Sequence, residues 1–337
     1  MDSDSNVAAD TADVQIVDAL AHELVAGALP GEIVDFTDRD RIAAAEFIAS
    51  CARSRTPGKA LVRVESLGGA VGQRRMRIGI VNDDMPFLVD SVANALAARG
   101  LTVHRLLHPV VCVRRDEDGG LTGVEPLCDE RERRESMMYL EVDRDDARGR
   151  RDIATEIHRV LADVRAVVAD WKAMQAQMRR DAESAEGEGK ALLEWFAEGA
   201  MTLLGYEVER PDGQPSQGLG LFKLPGDPTD QGGSLGAIRY FEGGGAVPLL
   251  TKADRRSSVH RRVPLDLVVM PVRENGKITG IGVHAGLWTS QALSAPVEDV
   301  PVLRERLRQL ERDFGFDRAG HSGKALRHAV TALRTTS

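Results

Sequence analysis

Met76-Arg77-Ile78-Gly79-Ile80-Val81-Asn82-Asp83-Asp84-Met85-Pro86-Phe87-Leu88-Val89-Asp90-Ser91-Val92-Ala93-Asn94-Ala95-Leu96-Ala97-Ala98-Arg99-Gly100 is the stretch that decides the fold. Met76, Ile78 and Ile80 alternate with Arg77, Gly79 and Val81, the period of a strand. The period then changes. Leu88, Val92, Ala95, Leu96 and Arg99 share one face of a helix. Pro86 suits the first helical turn, where a missing N–H leaves nothing unpaired. Asp90 complements the helix dipole, and Gly100 supplies a left-handed stop. Asn82 to Pro86 is the short loop between strand and helix.

Working outward, Leu101 to Arg115 is apolar and β-branched and reads as one long strand. Asp116 to Gly120 is a turn, and Met138, Leu140 and Val142 alternate in a later strand. Asp145 to Ala185 is a long helix with the stripe Ile153, Ile157, Val160, Leu161, Val164, Val167, Val168, Trp171, Met174 and Met178. Leu61–Leu67 and Met76–Val81 compete as the first strand. Either choice gives β-α-β-β-α, an α+β fold of the ferredoxin-like kind with helices on one face of an antiparallel sheet.

The N-terminal part is helical. Val14, Val17, Leu20, Ala21, Leu24 and Val25 form a stripe that Pro30-Gly31 stops. Asp38 or Asp40 caps a second helix, whose stripe is Ile42, Ala45, Phe47 and Ile48. Arg55-Thr56-Pro57-Gly58 marks a boundary, and Glu186-Gly187-Glu188-Gly189 marks another. Beyond it come a helix over Ala191–Ala200 and strands over Met201–Glu209 and Leu219–Leu224. Pro211 to Pro248 reads as loop, with one strand near Ile238–Phe241. Val263–Val272 and Ile278–Trp288 pair through Glu274-Asn275-Gly276-Lys277, a hairpin signal. Val300–Asp313 and Lys324–Leu333 are helices. The last runs on without a stop signal, which suits a piece of a longer polypeptide.

The 337 residues carry a net charge of −8, which argues against a general nucleic-acid binder. No stretch reaches the ~20 apolar residues of a membrane span. The acidic start, Met1-Asp2-Ser3-Asp4, is unlike a signal peptide, so a cytoplasmic location is expected. Cys51, Cys112 and Cys128 are few, odd in number and widely spaced, and are expected as reduced thiols. Of the 44 basic residues 37 are arginine, a compositional habit rather than a site.

Chemistry is scarce. Gly218-Leu219-Gly220 has Lys223 where a dinucleotide fingerprint needs its third glycine, and Gly320-His321-Ser322-Gly323-Lys324 lacks the first glycine and the hydroxyl of a P-loop. His22-Glu23 has no second histidine, and the histidines form no ligand-spaced cluster, so neither a catalytic group nor a metal site is expected. Asp83-Asp84 reads as capping of the following helix in preference to acid–base work. The segment Leu249 to Arg262 stands out for five cations and several hydroxyls. Thr251, Lys252, Arg255, Arg256, Ser257, His260 and Arg261 are candidates for an anion site or a docking surface. The competing reading is a solvated loop with ordinary salt bridges.

The string Asn82 to Ser91 resembles the N-terminal region of the large bacterial NAD-specific glutamate dehydrogenases. Further blocks agree in order: His108-Pro109-Val110, Glu135-Ser136, Glu141 to Arg144, Leu204-Gly205-Tyr206, Leu250 to Ala253, Ser257 to Arg261, Gly286 to Ser290, Gly315-Phe316-Asp317 and His321 to Leu326. Asp254-Arg255-Arg256, Arg262-Val263-Pro264 and Gly282 to Ala285 depart from the family's wording.

The resemblance implies the following order: a helical segment (1–58), an ACT-like domain (59–144), a long helix and linker (145–189), a second antiparallel, PAS-like α+β domain (190–295), and a helical segment (296–337) leading towards downstream domains. It implies a regulatory and oligomerising role without catalysis, in a homo-oligomer. NAD and glutamate would bind only on a downstream catalytic domain, which would be this region's partner. It implies an amino-acid effector at Asn82, Asp83, Asp84, Met85, Pro86, Phe87 and Ser91. Against that, Phe87 stands where many amino-acid-binding ACT modules carry the glycine that lets a ligand approach. The loop is therefore read first as structural. A stand-alone ACT-like amino-acid sensor is the alternative.

Overall fold

The computed structural model describes residues 2–68, 74–125, 128, 133–212, 218–223, 232–317 and 320–335. The chain divides into two compact units. One comprises Met1–Val164 with Ser258–Arg262, and the other Arg165–Ser257 with Val263–Ser337. No helix among the described residues is long and apolar enough to cross a membrane.

The first unit holds α1 (Asp2–Ala26), α2 (Pro30–Ile33), α3 (Asp38–Ala52), β1 (Leu61–Leu67), β2 (Arg75–Asp83), α4 (Leu88–Ala98), β3 (Val103–Leu107), β4 (Val110–Arg115), β5 (Leu121–Glu125), β6 (Arg133–Asp143) and the first half of α5 (Ala147–Glu183). Its antiparallel sheet runs β1-β2-β6-β4-β5, with β3 also on β6. Since β6 lies between β2 and β3, the unit β2-α4-β3 is a split β-α-β. Both candidates for the first strand are strands, paired from Leu61↔Val81 to Leu67↔Arg75. The architecture is thus the expected α+β one with antiparallel pairing.

Several local expectations are corrected. Leu101–Arg115 is two strands, broken at His108-Pro109, because Pro109 has no N–H to give the ladder. Helices cover both sheet faces. Ile16, Leu20 and Leu24 of α1 and Phe47 and Ile48 of α3 pack with Val81, Val111, Met137 and Tyr139. On the other face Met76, Ile78, Ile80, Met138, Leu140 and Val142 are all fully buried. The helical flank is therefore part of this core. Ile42 and Trp171 sit on predicted apolar stripes but are 44% and 47% exposed. The cap of α3 is Thr37, whose hydroxyl accepts from the Asp40 N–H while the Asp40 carboxylate accepts from the Thr37 N–H. The N-cap of α4 is Phe87, so Pro86 precedes the helix instead of opening it.

The thiol expectation is overturned as well. Cys112 and Cys128 are disulfide-bonded with their Cα atoms 5.2 Å apart. The β4–β5 register sets Cys112 opposite Glu125, which brings a residue three positions further within reach. Cys51 is free and half-buried, and burial pushes its thiol up to about 11.

The second unit holds the rest of α5, α6 (Gly187–Trp195) closing in a π turn over Phe196–Ala200, β7 (Met201–Glu209), β8 (Leu219–Gly220), α7 (Gly232–Glu242), β9 (Leu249–Arg256), β10 (Pro264–Glu274), β11 (Lys277–Trp288), α8 (Ser290–Ser294), α9 (Leu303–Asp313) and α10 (His321–Thr335). The antiparallel sheet order is β8-β7-β11-β10-β9. Ile238–Phe241, expected as a strand, lies in α7. Ala237, Ile238 and Phe241 recur at helical spacing and bury against Val269, Ile281 and Val283. The strand expected over Leu219–Leu224 is only Leu219–Gly220, and Leu224 lies outside the described residues. The β10–β11 hairpin turns at Asn275 and Gly276 with φ 51° and 81°, the left-handed pair its sequence asks for.

Candidate functional site

The candidate loop leaves the end of β2, where Asn82 and Asp83 lie opposite Ser136 and Glu135 of β6. Beneath it sits a buried ionic network that the sequence does not announce. The Arg55 guanidinium donates to Glu135 Oε1 and to Asp83 Oδ1, both at 2.7 Å. Arg115 donates to the two Glu135 oxygens at 2.9 and 2.8 Å. The remaining donors of these arginines reach the carbonyls of Lys59, Ala52 and Gly119. A carboxylate buried this deeply is tolerable only when paired and fully hydrogen-bonded.

Asp83 therefore anchors the loop and does not cap α4. Asp84 pairs with Arg134 at 3.4 Å. His108 Nε2 lies 2.7 Å from the Ser136 hydroxyl. Burial holds His108 below the ordinary imidazole value, opposed by the nearby Asp84 charge. Met85 is half-buried and Pro86 exposed.

Phe87 has φ 70°, the left-handed region that a bulky residue enters only when its surroundings compel it. His260 is also left-handed, at φ 64°, and the two rings meet with centroids 5.3 Å apart. His260 belongs to Ser258–Arg262, the part of the β9–β10 connection that packs in the first unit. Its N–H donates to Ser91 Oγ at 2.9 Å, and its carbonyl accepts from the Asn94 side-chain amide at 2.6 Å. Its Nδ1 lies 3.0 Å from Asp90 Oδ2. The Ser258 hydroxyl donates to Asp163 at 2.6 Å, and Arg159 donates to the same oxygen at 3.0 Å. The first turn of α4 is thus covered by the chain's own backbone and imidazole.

The two candidate sets meet at His260. Thr251 and Lys252 are exposed on the edge strand β9, Lys252 pairing with Asp266 at 2.8 Å. Arg256 faces Pro264 in the ladder, and the Ser257 N–H donates to the Val263 carbonyl. Arg255 and Arg261 are half-buried. The segment expected as loop is mostly this edge strand, and its charges suit an edge that must resist further pairing. Of the residues that hold the covering segment, Asp90 figures in the sequence only as a charge complementing the helix dipole, and Asn94 and Asp163 are missing from the sequence reading. Each sits on a helix surface with no local motif. Glu135 enters the sequence reading only within the Glu135-Ser136 block, and nothing there points to its buried network.

The second unit has its own polar cluster. His284 is fully buried, with Nε2 2.6 Å from Asp181 Oδ2 and its ring 4.6 Å from that of Tyr206. Burial, then the Asp181 charge, raises Tyr206 to about 12. Among the described residues no three His, Cys, Asp or Glu side chains gather as a metal site.

Residues 20–157 match the family described as glutamate dehydrogenase, ACT1 domain. The chain is 30% identical over 282 residues to an NAD-specific glutamate dehydrogenase of Halomonas elongata, and 30% identical over 290 residues to one of Pseudomonas aeruginosa. These alignments cover 74% and 76% of this chain, and 17% of each relative. The chain therefore spans about a sixth of the length of the curated relatives it matches. The chain resembles the N-terminal region of the NAD-specific glutamate dehydrogenases, and its residues 20–157 match their ACT1 domain.

Proposed function

We propose that this chain is a non-catalytic regulatory and oligomerising region of a cytoplasmic NAD-dependent glutamate dehydrogenase. The whole polypeptide would convert L-glutamate, NAD and water to 2-oxoglutarate, ammonia and NADH. The catalytic part, with the NAD site, would lie outside these residues and would be this region's partner in a homo-oligomer. In this reading the second unit, a five-stranded antiparallel sheet with α7 against it, is PAS-like.

The observation that carries the reading is the seat of His260 on α4. An amino-acid sensor needs polar groups free to meet a ligand at the loop. Here Asp83, Asp84, Asp90, Ser91 and Asn94 all bond within the chain. This supports a loop that holds the fold together. Purified chain given glutamate and NAD is expected to produce no NADH, and turnover would overturn the reading.

A further inference from the structure

We propose that a cavity beside the first turn of α4 binds a small organic ammonium ion. The cavity has a volume of about 290 Å³, close to the lower end of the range of small-molecule sites, about 300–1,000 Å³. Its wall includes Leu24, Val89 and Leu107, an apolar surface suited to a short methylene chain. Its charged groups are Glu23 and Glu32, and among the described residues no lysine or arginine lines it.

Three features favour a cation there over a neutral or anionic ligand. Glu23 and Glu32 are carboxylates at the wall, and the Leu29 N–H fixes Glu32 through Oε2 at 2.8 Å. The last turn of α1 ends at Ala26 beside the cavity, so the negative end of its dipole adds to the same field. His108, the remaining ionisable group of the wall, is kept neutral near pH 7 because burial lowers its pKa, and so adds no opposing charge. A ligand that carries its own carboxylate meets two like charges. The site is thus distinct from an amino-acid site. It is also independent of the regulatory reading, because binding can be measured without any catalysis.

The experiment is calorimetric titration of the purified chain with 1,4-diaminobutane, 4-aminobutanoate and 1-butanol. Saturable binding of the diamine is expected, with at least tenfold weaker binding of the other two. Glu23→Gln with Glu32→Gln is expected to weaken diamine binding at least tenfold. Since Glu32 also serves α2, Val89→Phe provides a second variant that occludes the cavity without touching its charges, with the same expected loss. Absence of saturable diamine binding, equal binding of 4-aminobutanoate, or undiminished affinity in both variants would overturn the proposal. Turnover in the NADH assay would leave it standing.

Discussion

Arg55 and Glu135 face each other at 2.7 Å with both side chains 1% exposed, eighty residues apart in sequence. Arg115 closes on the same carboxylate from β4, and Asp83 takes the other end of Arg55. The Asn82–Ser91 loop begins on this network. Replacing Arg55 with Ala leaves Glu135 short of a partner in a site closed to water. Such losses cost about 3–5 kcal/mol. Denaturant unfolding of Arg55→Ala is expected to show a fall of that size. A change under about 1 kcal/mol would mean the network is dispensable.

His260 has a left-handed backbone, which costs a residue with a Cβ about 1–2 kcal/mol relative to glycine. Its ring and the Asp90 contact offset that cost. His260→Ala keeps the strain and loses the ring, while His260→Gly loses both. The alanine variant should therefore be the less stable of the two, by about 1 kcal/mol. Equal stability would show that Ser258–Arg262 does not hold this geometry in solution.

Cys112 and Cys128 close a short loop, for which chain entropy allows about 3 kcal/mol. Alkylation of the denatured, unreduced chain should label Cys51 alone, and reductant should lower stability by up to that amount. Labelling of all three thiols without reductant would contradict the pairing.

Burial lowers the pKa of His108 below 6.5 in the folded chain. The unfolded chain then binds more protons, so stability falls as pH drops through and below 6.5. His108→Asn removes the group and should flatten the stability profile between pH 7 and 5. An unchanged slope would place its source elsewhere, His158 being the other histidine that burial lowers.

The backbone of the first unit is legible because its periods are clean. Met76 to Val81 reads as a strand, Leu88 to Leu96 as a helix, and Gly100 as the stop, at φ 74°. What stays hidden is set by tertiary context. Ile238 to Phe241 has strand-like composition, yet its spacing fits a helix once a sheet lies beneath it. Phe87 as a left-handed N-cap follows from no propensity and becomes intelligible only with His260 against it. The site was legible as a loop of interest, and the segment covering it was flagged for its charge. Their meeting was invisible because it depends on contacts about 170 residues apart.

The central claim is that the Asn82–Ser91 loop serves the fold, sealed by Ser258–Arg262, and does not receive an amino acid. The direct measurement is the thermal unfolding of the purified chain with rising glutamate or aspartate. The midpoint is predicted to show no saturable rise with either. A saturable rise that Ser91→Ala abolishes would contradict the claim and make the loop an effector site.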